Sequence, residues 1–367
     1  MTAAISRVGR LGFAALGAML VASAAARADE PRGLDIYWID VEGGAATLIV
    51  TPEGESILVD TGNPGRRDAG RIFKVATEVA KLRQIDHLVV THYHRDHFGG
   101  AADLAALMPI KTVYDNGEFP GMPEKPDRAY AALKCDRRVV VNPGDKLELK
   151  QSAAKAEADA APKLTVQCLA TRQQMIRSAS AATGAQKTAA APGEHVCKLH
   201  APKDRDGSDN ANSVVLLVSY GDFRFFDAGD LTWNVEHQLV CPENLVGKVD
   251  VYQTTHHGLE ASNNPAVLTA LEPAVAIMNN GARKGCDGQT VATLRETKSI
   301  AATYQVHKNV REGQAALNVP DEYIANATET CAGHHIKLTV ATDAKTYKVS
   351  IPANNHEREF KTRGPRD

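Results

Sequence analysis

The chain has 367 residues, of which 43% are hydrophobic and 23% charged. These are globular proportions, and they exclude a disordered or fibrous chain. Its 42 basic against 44 acidic side chains exclude a broad polycationic surface for nucleic acid, leaving room only for a local patch.

At the start of the chain, Arg7 and Arg10 precede an apolar run rich in Ala and Gly from Leu11 to Ala26. Ala26-Arg27-Ala28 has the small-x-small form of a signal-peptidase site. Residues 1–28 are therefore expected to be a cleaved secretory signal, with a mature chain starting near Asp29 in the periplasm or outside the cell. The run is shorter than the ~20 residues a membrane span needs, and no later segment is apolar for long enough. No membrane contact is expected after cleavage. Removing three arginines leaves 39 basic and 44 acidic residues, a balance of −5.

Next come three short strands at 34–41, 45–51 and 56–60, joined by the turns Glu42-Gly43-Gly44 and Pro52-Glu53-Gly54-Glu55. Ile72, Val75, Val79 and Leu82 recur at helical spacing and predict an amphipathic helix over 69–83. Ile85 to Val90 reads as a buried strand, 99–108 as a helix and 111–114 as a strand. Residues 151–195, rich in Ala, Lys, Ser and Thr, read as a partly disordered insertion with one strand at 164–169. Strands follow at 213–219, 223–227, 248–255 and 275–278, with helices at 265–271 and 290–296. A closing hairpin spans 336–341 and 347–351. The expected organisation is one domain over 29–352 and a loose polar tail over 353–367.

All six cysteines lie beyond residue 28, at 135, 168, 197, 241, 286 and 331. An even count in an exported chain points to disulfides. The expected pair is Cys168–Cys197, flanking the irregular segment. No Cys-x-x-Cys is present, which argues against a cysteine zinc site.

The densest chemistry is Thr91-His92-Tyr93-His94-Arg95-Asp96-His97, which follows an apolar strand. Imidazole and carboxylate are the donors that hold zinc and similar ions. His92 and His94, two apart at a strand end, project to one side, whereas Asp96 and His97 follow where the chain turns into a helix. The four thus split into two pairs, which suits two adjacent metals. Three other strand ends carry similar chemistry: Ile57 to Gly62 with Asp60, Phe225 to Asp230 with Asp227 and Asp230, and Thr254 to Gly258 with His256 and His257. Such carboxyl-terminal strand edges are where sites cluster in layered folds.

Together these motifs resemble the metallo-β-lactamase superfamily, whose hallmark is His-x-His-x-Asp-His with an earlier Asp, a later Gly-Asp and a final His. The wider context is similar to the branch that holds the periplasmic domain of ComEC competence proteins: Asp40-Val41-Glu42-Gly43-Gly44, Asn212 to Leu216, Gly229-Asp230 and His256-His257-Gly258. The resemblance covers roughly residues 34–280. It implies an α+β fold, a four-layer αββα sandwich of two mixed sheets with outer helices. It implies two divalent ions, zinc first and manganese second. His92 and His94 would hold one, and Asp96, His97 and one of the His256–His257 pair the other, with Asp230 bridging; His257 is the preferred ligand, and His256 then contacts substrate or supports the ligands. Asp60 would orient the loop, and Asp227, without a preceding Gly, reads as a turn cap.

The chain departs from the family pattern in one place. Where the superfamily has a further His for the first metal, this chain has Asp209-Asn210-Ala211-Asn212-Ser213. Asn212 is the candidate weak ligand there, with His195 and His200 upstream as lesser ones.

The expected activity is hydrolysis by a metal-bridging hydroxide, with Asp96 and His256 as catalytic groups. A phosphodiester or other phosphate ester is the first substrate class, with anion contacts from Met278 to Lys284. Carboxylic ester, lactone or β-lactam hydrolysis is the alternative, and a non-catalytic metal-binding protein the third reading.

Overall fold

Alternation along the strands builds the layers. In the computed structural model, which describes residues 1–2, 32–151, 162–177 and 193–363, Ile57 and Val59 of one strand face one core while Leu58 between them faces another. The expected signal segment, the mature start near Asp29, and 152–161 and 178–192 within the expected insertion lie outside the described residues.

The first sheet begins with β1 (Leu34–Trp38), β2 (Thr47–Val50), β3 (Ser56–Val59), β4 (Ile85–Val89), β5 (Ile110–Asp115) and β6 (Arg137–Val140). The second contains β7 (Leu164–Thr171), β8 (Gln174–Met175), β9 (Val215–Tyr220), β10 (Phe223–Asp227), β11 (Val251–Gln253), β12 (Val275–Met278), β13 (Ala302–His307) and β14 (Ile324–Asn326). The chain then returns to the first sheet through β15 (Ile336–Val340), β16 (Thr346–Ile351) and β17 (His356–Lys361). Among the described residues the strand orders are β17-β16-β15-β1-β2-β3-β4-β5-β6 and β14-β13-β12-β11-β10-β9-β7-β8. Both sheets are mixed: β3 to β6 and β10 to β14 run parallel, and the rest antiparallel.

The inner core lies between the sheets and joins Leu34, Ile36, Trp38 and Val89 to Val166, Val218, Phe225 and Ile277. Trp38 meets Phe225 edge-on with centroids 5.5 Å apart. Its indole N–H donates to Gln253 Oε1 at 2.7 Å, so the one polar group of this buried ring is satisfied across the gap. The outer face of the first sheet packs Leu48, Leu58 and Leu88 against Ile72 and Leu104 of α1 (Arg66–Lys74) and α3 (Ala101–Ala105), with α2 (Arg95–Phe98) between them in the chain. The second sheet's outer face packs Phe226 and Tyr252 against Val235, Leu268 and Leu294 of three further helices. Four layers result, an αββα sandwich.

Several elements differ from expectation for physical reasons. The first helix starts at Arg66 and continues beyond Lys74 as a π turn, Val75–Val79. The helix expected over 99–108 is shorter, α3 over Ala101–Ala105, and a separate α2 precedes it across Gly99 and Gly100. The strand inside the expected insertion belongs to the second sheet, paired with β9. The expected loose tail contains β17, whose Phe360 stacks on Tyr347 of β16 at 5.3 Å. Its alternation is weak because one face meets solvent. β13 and β14 were not anticipated, since Thr303, Gln305 and His307 make β13 read as polar although Gln305 and His307 are buried. The disulfide is Cys197–Cys241, with Cα atoms 5.8 Å apart, and Cys168 is a free buried thiol in β7. Proximity of Cys168 and Cys197 in the chain was no guide, because β7 carries Cys168 into the inner core. Among the described residues, no helix is long and apolar enough to cross a membrane.

Candidate metal centre

Apart from Asn212, which precedes β9, the expected ligands and Asp60 leave the carboxyl ends of strands with parallel neighbours. Asp60 follows β3, His92 to His97 follow β4, Asp230 follows β10, and His256 and His257 follow β11. His92, His94 and Asp230 each bring a ligand atom within 4.8 Å of the others. Asp96, His97, Asp230 and His257 form a second such group. Asp230 is common to both. All of these except His94 and Asp96 are buried.

Asp60 organises the loop from beneath. It accepts the Thr91 N–H at 2.8 Å and the Thr91 hydroxyl at 2.7 Å, and lies 2.6 Å from His97 Nδ1. With Asp60 accepting, His97 Nδ1 carries the proton and Nε2 turns its lone pair inward, 3.1 Å from Asp230 Oδ2 and 3.2 Å from His257 Nε2. The Thr91 hydroxyl spends its proton on Asp60, so it accepts from His92 Nδ1 at 3.0 Å. His92 Nε2 is then a buried lone pair without a hydrogen-bond partner, and Asp230 Oδ1 is likewise unpartnered. Imidazole lone pairs facing carboxylates with no proton to share are what a divalent cation satisfies, so these donors fit the metal that the motif implies.

The electrostatics agree. Burial opposes charge on His97, yet the Asp230, Asp60 and Asp96 carboxylates around it hold its pKa well above the usual imidazole value, so they favour a cation at Nε2, a proton in the absence of an ion and a metal in its place. Burial, then His97, push His92 well below that value, so it stays neutral and ready to ligate. Although burial opposes it, nearby imidazoles hold both Asp96 and Asp230 below the ordinary carboxylate range. Lys284 Nζ pairs with Asp96 Oδ2. Asp227 accepts the Gly229 N–H at 3.0 Å, as a turn cap does, and burial pushes its carboxyl up to about 7.

Two glycines let the strand ends approach. Gly229 has φ +54°, and a Cβ there would lie 2.9 Å from Thr91 Cβ. A Cβ on Gly285, at φ +78°, would lie 1.9 Å from the His257 carbonyl oxygen.

His257 is fully buried, with Nε2 3.3 Å from both Asp96 and Asp230. His256 sits at the rim, with Nε2 3.5 Å from Asp230 Oδ2 and Nδ1 3.4 Å from Ser262 Oγ. Asn212 is committed elsewhere: its amide donates to Asp209 at 3.0 Å and accepts from Gln173 at 3.2 Å. Neither His195 nor His200 belongs to the converging groups found among the described residues. His200 accepts from Asn264 at 2.7 Å and stacks on His237.

Three residues not foreseen by sequence reasoning line the same space. Ser213 Oγ lies 3.4 Å from His92 Nδ1 and accepts the Asp230 N–H at 3.2 Å. Asn210 Nδ2 lies 3.5 Å from His256 Nε2. Glu124 Oε1 lies 3.6 Å from His94 Nε2 while its Oε2 accepts the Asp209 N–H at 2.8 Å. The Asp209-to-Ser213 segment was a visible signal for Ser213 and Asn210, and nothing local marked Glu124.

Comparison with known proteins agrees with this geometry. Residues 39–153 match the family profile described as the Metallo-beta-lactamase superfamily. Superfamily membership is thus supported over those residues. A UPF0173 metal-dependent hydrolase of Cupriavidus metallidurans is 35% identical over 93 residues, 24% of this chain and 29% of its own. Thioesterase pkgB of Emericella nidulans is 30% identical over 102 residues, 28% of this chain and 29% of its own. The chain thus spans under a third of the length of these curated relatives. Among solved structures, the diiron β-hydroxylase CmlA of Streptomyces venezuelae aligns with a TM-score of 0.42 at 14% identity, over 75% of this chain and 53% of that one. A metallo-β-lactamase of Hirschia baltica aligns with a TM-score of 0.27 at 14% identity, over 54% and 67%. Divalent-metal binding goes with the superfamily fold.

Proposed function

We propose that the protein is an exported metal-dependent hydrolase that acts on phosphodiesters or other phosphate esters with two divalent ions, zinc first and manganese second. The observation that carries the reading is the pair of ligand groups sharing Asp230. His92 and His94 would hold one ion, and Asp96, His97 and His257 the other. When bound, such ions supply hydroxide at neutral pH and neutralise charge on the attacked group and the leaving oxygen.

The chain's own residues do the rest. Asp60 locks the His97 ring and its tautomer. Asp96, held as an anion and paired with Lys284, accepts a hydrogen bond and orients the attacking water; its low pKa makes it a weak base. Ser262 donates its proton to the Leu231 carbonyl at 2.7 Å, so it accepts from His256 Nδ1. His256 Nε2 then keeps a lone pair at the rim, placed to take a proton or to receive a donor from substrate.

What supports a phosphate ester is Lys284, which stands beside Asp96. A cleft of about 620 Å³ walled by Thr232 and Trp233 carries Lys203 and Arg205 together with Asp204 and Asp206, so its charges balance. The turn Asp40-Val41-Glu42-Gly43-Gly44 supports the ComEC-like branch, and the N-terminal pattern with the Cys197–Cys241 disulfide supports export. The named thioesterase among the relatives favours carboxylic ester, thioester or lactone hydrolysis as the second reading.

One panel decides between them. Metal-loaded protein is assayed on bis-p-nitrophenyl phosphate, single-stranded DNA, phosphorylcholine esters, nitrocefin, simple lactones and thioesters. Turnover of the phosphate esters that disappears in His94→Ala is expected. Turnover confined to the acyl substrates overturns the phosphate reading, and none on any substrate at full metal occupancy overturns the hydrolase.

A further inference from the structure

Away from the centre just described, Asp40 after β1, His307 at the end of β13 and Cys331 in the loop before β15 meet where the two sheets come together. A carboxylate oxygen, a ring nitrogen and the sulfur lie within 4.8 Å of one another. Asp40 and His307 are fully buried. His307 Nδ1 lies 3.0 Å from the Lys308 carbonyl, which can only accept, so Nδ1 carries the proton. Its Nε2 is left as a buried lone pair without a hydrogen-bond partner. The Cys331 thiol donates to Asp40 Oδ2 at 3.0 Å. A buried imidazole lone pair, a carboxylate and a thiol converging from three separate segments form a donor set for a borderline-soft cation.

We propose that Asp40, His307 and Cys331 form a further metal site of zinc type, distinct from the centre built on Asp230. Binding replaces the S–H bond of Cys331 by a sulfur–metal bond. The thiol proton, now shared with Asp40 Oδ2, leaves to solvent, and that oxygen turns to the ion. Charge balances locally, since two anionic ligands offset a divalent cation. Arg71, which reaches Asp40 Oδ2 at 3.3 Å, keeps its pairing with Glu42 at 3.0 Å and with the Asp40 and Cys331 carbonyls. The ion ties the loop before β15 and the end of β13 to the turn after β1. That turn supports the catalytic loop, because the Ala45 N–H donates to the Asp96 carbonyl at 3.0 Å. The role is therefore structural: it holds the floor of the neighbouring centre.

Cobalt substitution tests the site, because the Asp230 centre contains no cysteine and, among the described residues, Cys331 is the one free cysteine that belongs to a group of converging donors. The full chain is titrated with cobalt(II) without reductant and read for thiolate-to-cobalt charge-transfer absorption. The band is expected in the wild type and in His94→Ala, absent in Cys331→Ser, and about 100-fold weaker in cobalt affinity in His307→Gln, at least the loss seen for outer-shell partners. A wild type without the band at cobalt saturation overturns the site, as does a band unchanged in Cys331→Ser. A second measurement needs no variant: zinc should protect Cys331 of the wild type from alkylation, read by mass spectrometry, and equal labelling with and without zinc overturns the site. A band without any hydrolysis leaves this site standing and sinks the hydrolase, and hydrolysis without a band does the reverse.

Discussion

At the scale of single residues, Asp60 and Glu236 show two opposite uses of a buried carboxylate. The Asp60 carboxylate accepts from Thr91 twice and from His97, so its side-chain bonds go to the metal loop. Asp60→Asn keeps the shape but loses the charge and presents a donor to one of these partners. Metal affinity should fall about 10–100-fold by competitive chelator titration, with far-UV circular dichroism unchanged. Glu236 accepts the Asn264 N–H at 3.0 Å, and burial pushes its carboxyl up to about 7 from 4.5, outweighing this bond and the contacts with Thr255 and Asn263 that favour the anion. The folded chain then holds a proton that the unfolded chain releases, so the stability it contributes is present below about pH 4.5 and is lost as pH rises to about 7. Glu236→Gln should flatten that dependence. Urea melts at about pH 5 and about pH 8 should show the variant gaining about 1–3 kcal/mol on the wild type at the higher pH.

At the scale of elements, the site depends on how closely loops approach and on how edges are closed. Gly285 allows the loop after β12 to pass against the His257 carbonyl. Gly285→Ala puts a methyl group into that carbonyl at a positive φ, so the 3-10 turn Thr255–Gly258 that carries His257 must move. Zinc content of the purified variant should drop by about one equivalent, since one ligand of a closed set is displaced, while its secondary structure is retained. β17 closes the open edge of β16, and its Phe360 covers Tyr347. Phe360→Ala should cost about 1–2 kcal/mol in chemical denaturation, less than full burial of the ring because one side is wet. The core strands from β1 to β5 and from β9 to β12 were legible because apolar side chains alternate or run uninterrupted there. β13 was not, because it buries Gln305 and His307 with hydrogen bonds that reach Asn318 and Asn280, 13 and 27 residues away.

At the scale of the whole molecule, two sheets bring the four strand ends of β3, β4, β10 and β11 to one rim, and one covalent link fastens the second sheet's outer layer. Cys197–Cys241 joins Glu194–Cys197 to the end of the helix Trp233–Gln238 across a separation of 44 residues. A loop of that size is worth up to about 4 kcal/mol through the entropy of the unfolded chain. The Cys197→Ser/Cys241→Ser double variant should lose stability of that order, and a reductant should lower the melting temperature of the wild type but not of the variant. A melting temperature insensitive to both would show that packing alone holds this layer.

The chemistry of the main centre was written locally. His92, His94, Asp96 and His97 fall within six positions at the end of an apolar strand, and strand-end geometry alone sends them towards one place. Asp230 and His257 were legible for the same reason, each terminating its own apolar strand. Which residues serve these ligands from behind or beside them was decided only by the tertiary structure: Ser213 on His92, Glu124 on His94, Asn210 on His256. The same holds for the partner of Cys197 and for the meeting of Asp40, His307 and Cys331. The physical reason is that hydrophobic periodicity specifies which face of an element is buried, whereas contacts between distant segments depend on strand order and on which sheet faces which, and no local pattern encodes those.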